Sequence, residues 1–315
     1  MKLNVLKQAS LPDALTAELA RRYHLVELTA LTDADFRALA GTFTVLITNG
    51  EATVTRALIA SLPALELIAV FGVGYDGVDV QAAAEHQVRV SHTPGVLTDD
   101  VADLALGLML ATSRQIVAAH KFIEAGEWAA GGFPWTQKVS GSRVGIVGMG
   151  RIGQAIARRC EGLAMQIAYH DRKRLPALNY AWREDLLTLA AESDFLVICT
   201  PGTAANQGLI NQPVLAALGE KGILINISRG SVIDEPALVA ALESGIIAGA
   251  GLDVFSHEPA VPAGLLQRSN VVVTPHMASA TWSTRAAMAQ LVLDNVACWA
   301  EKKALVTPVA ESLAD

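Results

Sequence analysis

Two doubly wound parallel-sheet α/β domains, one inserted in the other, are predicted by three features of this 315-residue sequence. The length exceeds what one hydrophobic core usually supports. Short β-rich runs alternate with helical stretches in two series, the βαβ rhythm of a parallel sheet. A glycine-rich turn, Gly148-Met149-Gly150-Arg151-Ile152-Gly153, follows the first strand of the second series.

The first series has β-rich runs at 3–8, 24–28, 44–48, 66–71 and 88–92, enough for a small flavodoxin-like sheet. Helix starts are marked by Thr32 with Asp35, and by Thr53 ahead of an apolar-periodic run ending at Pro63. From Thr98, the stretch TDDVADLALGLMLATSRQIVAAHKFIEAG has helical apolar spacing, a capping threonine and acids in its first turn, which predicts one long helix. Six further runs, at 143–148, 165–170, 194–200, 222–228, 247–254 and 270–275, match a Rossmann dinucleotide-binding sheet. The last helical stretch, about 281–302, returns to the first domain. The expected division is therefore 1–96 plus 285–315 as the outer, substrate domain and 97–284 as the inserted cofactor domain.

Hydrophobic residues make up 52% and charged residues 17%, which suits well-filled cores and excludes extensive disorder. A formal charge of −7 provides no overall basic field for nucleic acid or an anionic membrane, so any anion must be held locally. Polar residues interrupt every apolar stretch before it reaches membrane-spanning length, and the N-terminus lacks a signal-peptide apolar region, so a cytoplasmic protein is expected. Cys160, Cys199 and Cys298 are scattered, with no CxxC pair or clustered histidines, so reduced thiols and no metal site are expected.

The glycine turn has the context that makes its pattern informative, an apolar strand before it and a helix after it. Gly148 suits the tight turn, Gly150 the close approach of a pyrophosphate to the backbone, and Gly153 the packing of helix on strand. Arg151 and Ile152 open the helix, whose N-terminus presents N–H groups and positive dipole to a phosphate. Asp171 lies 18 residues after Gly153, close to the spacing of about 20 expected for a carboxylate on the ribose 2′-hydroxyl of NAD. Arg172 and Lys173 follow it, and basic groups there suit the 2′-phosphate of NADP or a solvated turn. The balance leans narrowly to NADP(H), with NAD(H) as the other outcome.

Six ordered motifs span nearly the whole chain: VFGVGYDGVDV (70–80), HTPGVLTDDVADLALGLML (92–110), VGMGRIG (147–153), INISRGSVIDEPAL (225–238), GAGLDVFSHEP (249–259) and TPHMASAT (274–281). Together they resemble the D-isomer-specific 2-hydroxyacid dehydrogenase family, in its glyoxylate/hydroxypyruvate and hydroxyphenylpyruvate reductase branch. The resemblance implies a catalytic set of Arg229, Glu258 and His276. The residue types suit reduction of a 2-oxo acid. An imidazolium can protonate the ketone oxygen near neutral pH, a carboxylate on its distal nitrogen holds the tautomer, and a guanidinium fork binds the substrate carboxylate. The resemblance further implies Val73 and Gly74 facing the substrate, Thr200 and Pro201 bordering the cofactor, and Asp253 at the nicotinamide amide. It also implies a homodimer through the Rossmann domain, with the helix beginning near Val101 as the contact. Trp135 is expected to anchor the linker to the Rossmann domain rather than reach the substrate.

Two other readings share the fold: a nucleotide-sensing interaction protein, and a dehydrogenase for a different donor such as formate or phosphite. The complete Arg229, Glu258 and His276 set argues against the first. Glu258 argues against formate, because formate enzymes resembling this family pair the histidine with glutamine.

Overall fold

The structure is a computed structural model and describes residues 2–266 and 268–312. The chain divides into two compact units, Met1–Leu97 with Ser279–Asp315, and Thr98–Ala278. The last three residues expected in the outer domain, 313–315, lie outside the described part.

In the first unit, strands β1 (Asn4–Lys7), β2 (His24–Glu27), β3 (Val45–Asn49), β4 (Leu67–Phe71) and β5 (Arg89–Ser91) form one parallel sheet in the order β2-β1-β3-β4-β5. Every residue of β4 is buried, as befits a strand covered on both faces, and Leu46, Ile68 and Val90 meet Phe43 in one core. Thr32 caps the helix Asp33–Leu39, accepting from the Asp35 N–H at 3.2 Å. The next cap is Thr55, not Thr53. Val54 bridges in parallel to Val78, so the backbone at 53–54 is drawn into a strand-like contact and the helix Arg56–Ala60 starts only after it.

The long C-terminal helix, Trp282–Ala300, packs on β4. Buried Asn295 then ties down the tail, bonding Thr307 through both its amide oxygen and nitrogen. The boundary before this helix falls at Ser279 rather than 285. Thr281 is its N-cap and the Thr284 hydroxyl donates to the Val96 carbonyl at 3.4 Å, so the residues leading into the helix belong with the unit on which it packs.

In the second unit, β6 (Arg143–Val147), β7 (Gln166–His170), β8 (Ala181–Trp182), β9 (Phe195–Ile198), β10 (Ile223–Asn226), β11 (Gly249–Leu252) and β12 (Val271–Val273) form a parallel sheet ordered β12-β11-β10-β9-β6-β7-β8. The sequence predicts six of these seven strands. β8 is a two-residue edge strand paired to β7, too short to carry an alternation pattern. The chain reverses direction across the sheet between β6 and β9, the switch point at which doubly wound sheets bind ligands.

The expected single long helix is two, Thr98–Ser113 and Ile116–Glu124, bent by 54°. Gln115 is left-handed at φ 50°, and the returning segment fastens the break: Ser113 Oγ donates to the Gln137 carbonyl and Arg114 Nε to Thr136 Oγ1. No single helix among the described residues is long and apolar enough to cross a membrane.

Candidate active site

The glycine turn follows β6 and opens the 11-residue helix Arg151–Glu161. Gly148 has φ 95°, a region that glycine enters without strain, and a side chain there would press within 3.0 Å of the Cys199 carbonyl and the Thr200 nitrogen. At Gly153 a Cβ would overlap the Gly148 carbonyl, so helix and strand meet at backbone distance. Gly150 differs. It is the helix N-cap with no side-chain cap, and a Cβ there would meet nothing within 4 Å. A helix N-terminus without a side-chain cap, with open space beside its N-cap glycine, fits an anion such as a dinucleotide pyrophosphate.

β7 brings Asp171 to the same edge. Its Oδ2 accepts from the Met149 N–H at 2.9 Å and its Oδ1 from the Arg172 N–H at 2.7 Å, so the carboxylate ties the end of β7 to the glycine turn. Arg172 and Lys173 are exposed just beyond. After β9, Thr200 Oγ1 and the Pro201 carbonyl both accept from Asn206 Nδ2 at 2.9 Å. The adjacent Gly202 leaves room for Arg229, whose Cγ would lie 2.8 Å from a side chain at that position.

Arg229 follows β10, the next strand along the sheet. The turn between them is shaped by Asn226, whose Nδ2 donates to the Arg229 carbonyl and whose Oδ1 accepts from the N–H and hydroxyl of Ser228. Immediately after Arg229, a Cβ at Gly230 would overlap the Phe255 carbonyl, so the two loops touch backbone to backbone. Glu235 adds a second tie, its Oε1 accepting from the Ser256 N–H at 2.7 Å.

That second loop carries Glu258. Its Oε1 accepts from the Phe255 N–H at 2.9 Å, and its Oε2 accepts from His276 Nδ1 at 2.7 Å. Burial pushes the Glu258 carboxyl toward the neutral form. The hydrogen bonds from His276 and Phe255, with the nearby charges of His276 and Arg229, outweigh this and hold it below its ordinary range. His276 itself is left-handed at φ 49°, costly for a residue with a Cβ and characteristic of functional sites. Buried Asp253 holds this conformation. Its carbonyl accepts from the His276 N–H at 2.8 Å, and its carboxylate accepts from Thr274 Oγ1 and the N–H groups of Met277 and Ala278. Burial raises the Asp253 carboxyl above its usual range, against the pull of those three bonds. Asp253, expected at the nicotinamide amide, thus shapes the histidine turn.

Residues 106–278 match the model of the D-isomer specific 2-hydroxyacid dehydrogenase NAD-binding domain. Hydroxyphenylpyruvate reductase of Plectranthus scutellarioides is 45% identical over 98% of this chain and 99% of its own. The chain belongs to the D-isomer-specific 2-hydroxyacid dehydrogenase family. It is therefore an NAD(P)-dependent oxidoreductase. Glyoxylate/hydroxypyruvate reductase A of Arabidopsis thaliana is 40% identical over the same shares of the two chains, 98% and 99%. Among solved structures, the NADPH-dependent glyoxylate/hydroxypyruvate reductase of Sinorhizobium meliloti, in complex with NADP and malonate, superposes with a TM-score of 0.92 at 42% identity. The match covers 99% of this chain and 98% of that one.

Within the second unit of this dehydrogenase, the sheet edge gathers the glycine turn, Asp171, Thr200, Pro201, Arg229, Asp253, Glu258 and His276. Val73 and Gly74 lie in the first unit, in the loop that leaves β4; there the Val73 carbonyl accepts from His92 Nδ1 at 2.9 Å and the Tyr75 ring meets the His92 ring edge-on. Trp135 is fully exposed and does not anchor the linker, which is fastened instead by Thr136 and Gln137 through their bonds with Arg114 and Ser113. Sequence reading misses Asn206, Asn226 and Glu235. Asn226 left one trace, a polar residue closing the apolar run ILIN.

Replacing Gly230 by Ala is expected to cost about 1–3 kcal/mol of unfolding free energy and to depress turnover far more than nucleotide affinity. Chemical denaturation and a cofactor titration check this, and wild-type turnover in the variant would show that the contact between the two loops does not position the site.

Proposed function

We propose that this enzyme reduces a small 2-oxo acid, of the glyoxylate, hydroxypyruvate or aryl pyruvate kind, to the D-2-hydroxy acid, with His276 as the proton donor. The observation that carries the reading is the 2.7 Å bond from His276 Nδ1 to Glu258 Oε2, on the sheet edge that also presents Arg229. The relatives named for glyoxylate, hydroxypyruvate and hydroxyphenylpyruvate reduction support the substrate class. With Nδ1 engaged by a carboxylate, the ring keeps one tautomer and orientation and aims Nε2 at the ketone oxygen. Arg229 offers a planar fork for the substrate carboxylate and stabilises negative charge growing on the ketone oxygen. Glycines 148, 150 and 153, with Arg151, Ile152, Thr200 and Pro201, would hold the dinucleotide. When bound, its reduced nicotinamide supplies the hydride. Val73 and Gly74 are the first unit's candidates for substrate contact.

For the cofactor, NADP(H) is favoured over NAD(H). Asp171 spends both carboxylate oxygens on backbone N–H groups while Arg172 and Lys173 extend beyond it, and the Sinorhizobium meliloti relative was captured with NADP. The three cysteines are unpaired, which suits a reducing cytoplasm. A homodimer through the second unit remains part of the reading, with its contact moved. Val101, Ala105, Leu108 and Met109 are buried within the unit, whereas Ile116, Ile123 and Trp128 are exposed, Trp128 by 67%. Residues 116–128 are the better contact, with molar mass in solution as the check.

The purified protein should oxidise NADPH with at least one of glyoxylate, hydroxypyruvate and 4-hydroxyphenylpyruvate. His276→Ala should lower kcat by about 10²–10⁴ with nucleotide binding retained, and an undiminished kcat would remove His276 from the mechanism. Reduction needs the imidazolium, so activity falls as pH rises and the ring loses its proton. Glu258→Gln removes the charge that favours the imidazolium, and the alkaline limb of the rate profile should move to lower pH; an unmoved limb would count against the pairing. Arg172→Ala should raise the KM for NADPH about ten- to hundredfold and leave that for NADH unchanged, whereas equal effects on both would reject the 2′-phosphate contact.

A further inference from the structure

We propose that Asn226 is a positioning residue that sets the place of Arg229 relative to His276. The inference rests on the reading of Arg229 as the group that binds the substrate carboxylate. Asn226 is the last residue of β10 and is wholly buried. Its main-chain carbonyl accepts from the Asp253 N–H at 2.9 Å, and the Asp253 carbonyl accepts in turn from the His276 N–H at 2.8 Å. Its side chain works in the other direction: Nδ2 donates to the Arg229 carbonyl at 2.9 Å, and Oδ1 accepts from the Ser228 N–H and Oγ, both at 3.0 Å. One buried residue therefore holds the arginine through its amide group and the histidine through its backbone.

The chemistry explains why an amide stands there. A buried polar group must be hydrogen-bonded, and an asparagine offers a donor and an acceptor on one rigid fork. Leucine would fill a similar volume but leave the Ser228 N–H and the Arg229 carbonyl without their bonds. Aspartate would keep the acceptor for Ser228 but set a second acceptor against the Arg229 carbonyl. All three side-chain bonds of Asn226 fall on Ser228 and Arg229, and none reaches another element of the fold, so the amide shapes this turn rather than the core at large. Arg229 leaves the turn in extended backbone, φ −142° and ψ 142°, with its side chain beside Gly202. A change in the pitch of the turn would therefore swing the guanidinium along the sheet edge while His276 stays where Asp253 holds it.

The test uses the full-length enzyme and the variants N226D, N226S, R229K and N226D/R229K, with glyoxylate as substrate and oxalate as a carboxylate inhibitor that has no reducible ketone. N226D should raise the glyoxylate KM and the oxalate Ki together by about 10- to 100-fold, with NADPH affinity unchanged. The double variant should be little worse than R229K alone, because both changes act on one group. If N226D does not fold, N226S, which keeps a hydroxyl in place of the amide, is read against the same expectations. A folded variant with wild-type KM and Ki would overturn the proposal, as would penalties from N226D and R229K that simply multiply. Wild-type enzyme that turns over no 2-oxo acid would remove the underlying reading of Arg229, and the proposal with it. Active wild type with an indistinguishable N226D would remove only the role of Asn226.

Discussion

Because all seven strands of the second unit run parallel, their C-terminal ends share one edge, and the site depends on that constraint. A parallel pair cannot be closed by a tight hairpin, so each strand hands the chain to a crossover that returns it to the opposite edge. Loops far apart in sequence therefore leave the sheet side by side: the glycine turn after β6, Asp171 after β7, Thr200 after β9, Arg229 after β10, Glu258 after β11 and His276 after β12. The reversal of strand order between β6 and β9 opens the space beside Gly150 that a dinucleotide phosphate needs.

Within that frame, backbone contact does much of the positioning. Gly153 lets the helix Arg151–Glu161 touch β6, and Gly230 lets the Arg229 turn touch the Glu258 loop. The charged groups are then organised by what they must satisfy. Asp253 is buried, which disfavours its charge, and it accepts three hydrogen bonds from the 274–278 turn. Two of these come from N–H groups just past the left-handed His276, so stabilising the buried carboxylate and holding the strained histidine backbone are one arrangement. Glu258 is ionised for a related reason: the imidazole, a backbone N–H and the nearby guanidinium together outweigh its burial.

Much of this was legible beforehand. Eleven of the twelve strands among the described residues stand out as β-rich runs, the inner ones strongly apolar because both faces of a parallel sheet are covered there. The glycine turn stands out through its spacing between a strand and a helix, while Arg229, Glu258 and His276 are singled out only by the family resemblance that the ordered motifs carry. What sequence reading got wrong involves contacts between distant segments. The expected helix from Thr98 to Gly126 breaks at Gln115, and residues 136–137 come back to bond Ser113 and Arg114 just ahead of the break. Thr53 has the composition of a cap, but the bridge from Val54 to Val78 moves the helix start to Thr55. Edge strand β8 exists only because β7 offers it a partner.

The sequence by itself determined the two βα series and set the glycine-rich turn between a strand and a helix, because hydrophobic periodicity and glycine spacing are properties of short stretches. Only the tertiary structure decided that Asp171 binds the Met149 N–H, that Asp253 is spent on the histidine turn, and that Asn226 joins Arg229 to the strand beside it. Each of those is a hydrogen bond whose partner is fixed by how strands and loops meet. A polar side chain declares in sequence that it needs a partner, but which one it finds is settled only when the chain has folded around it.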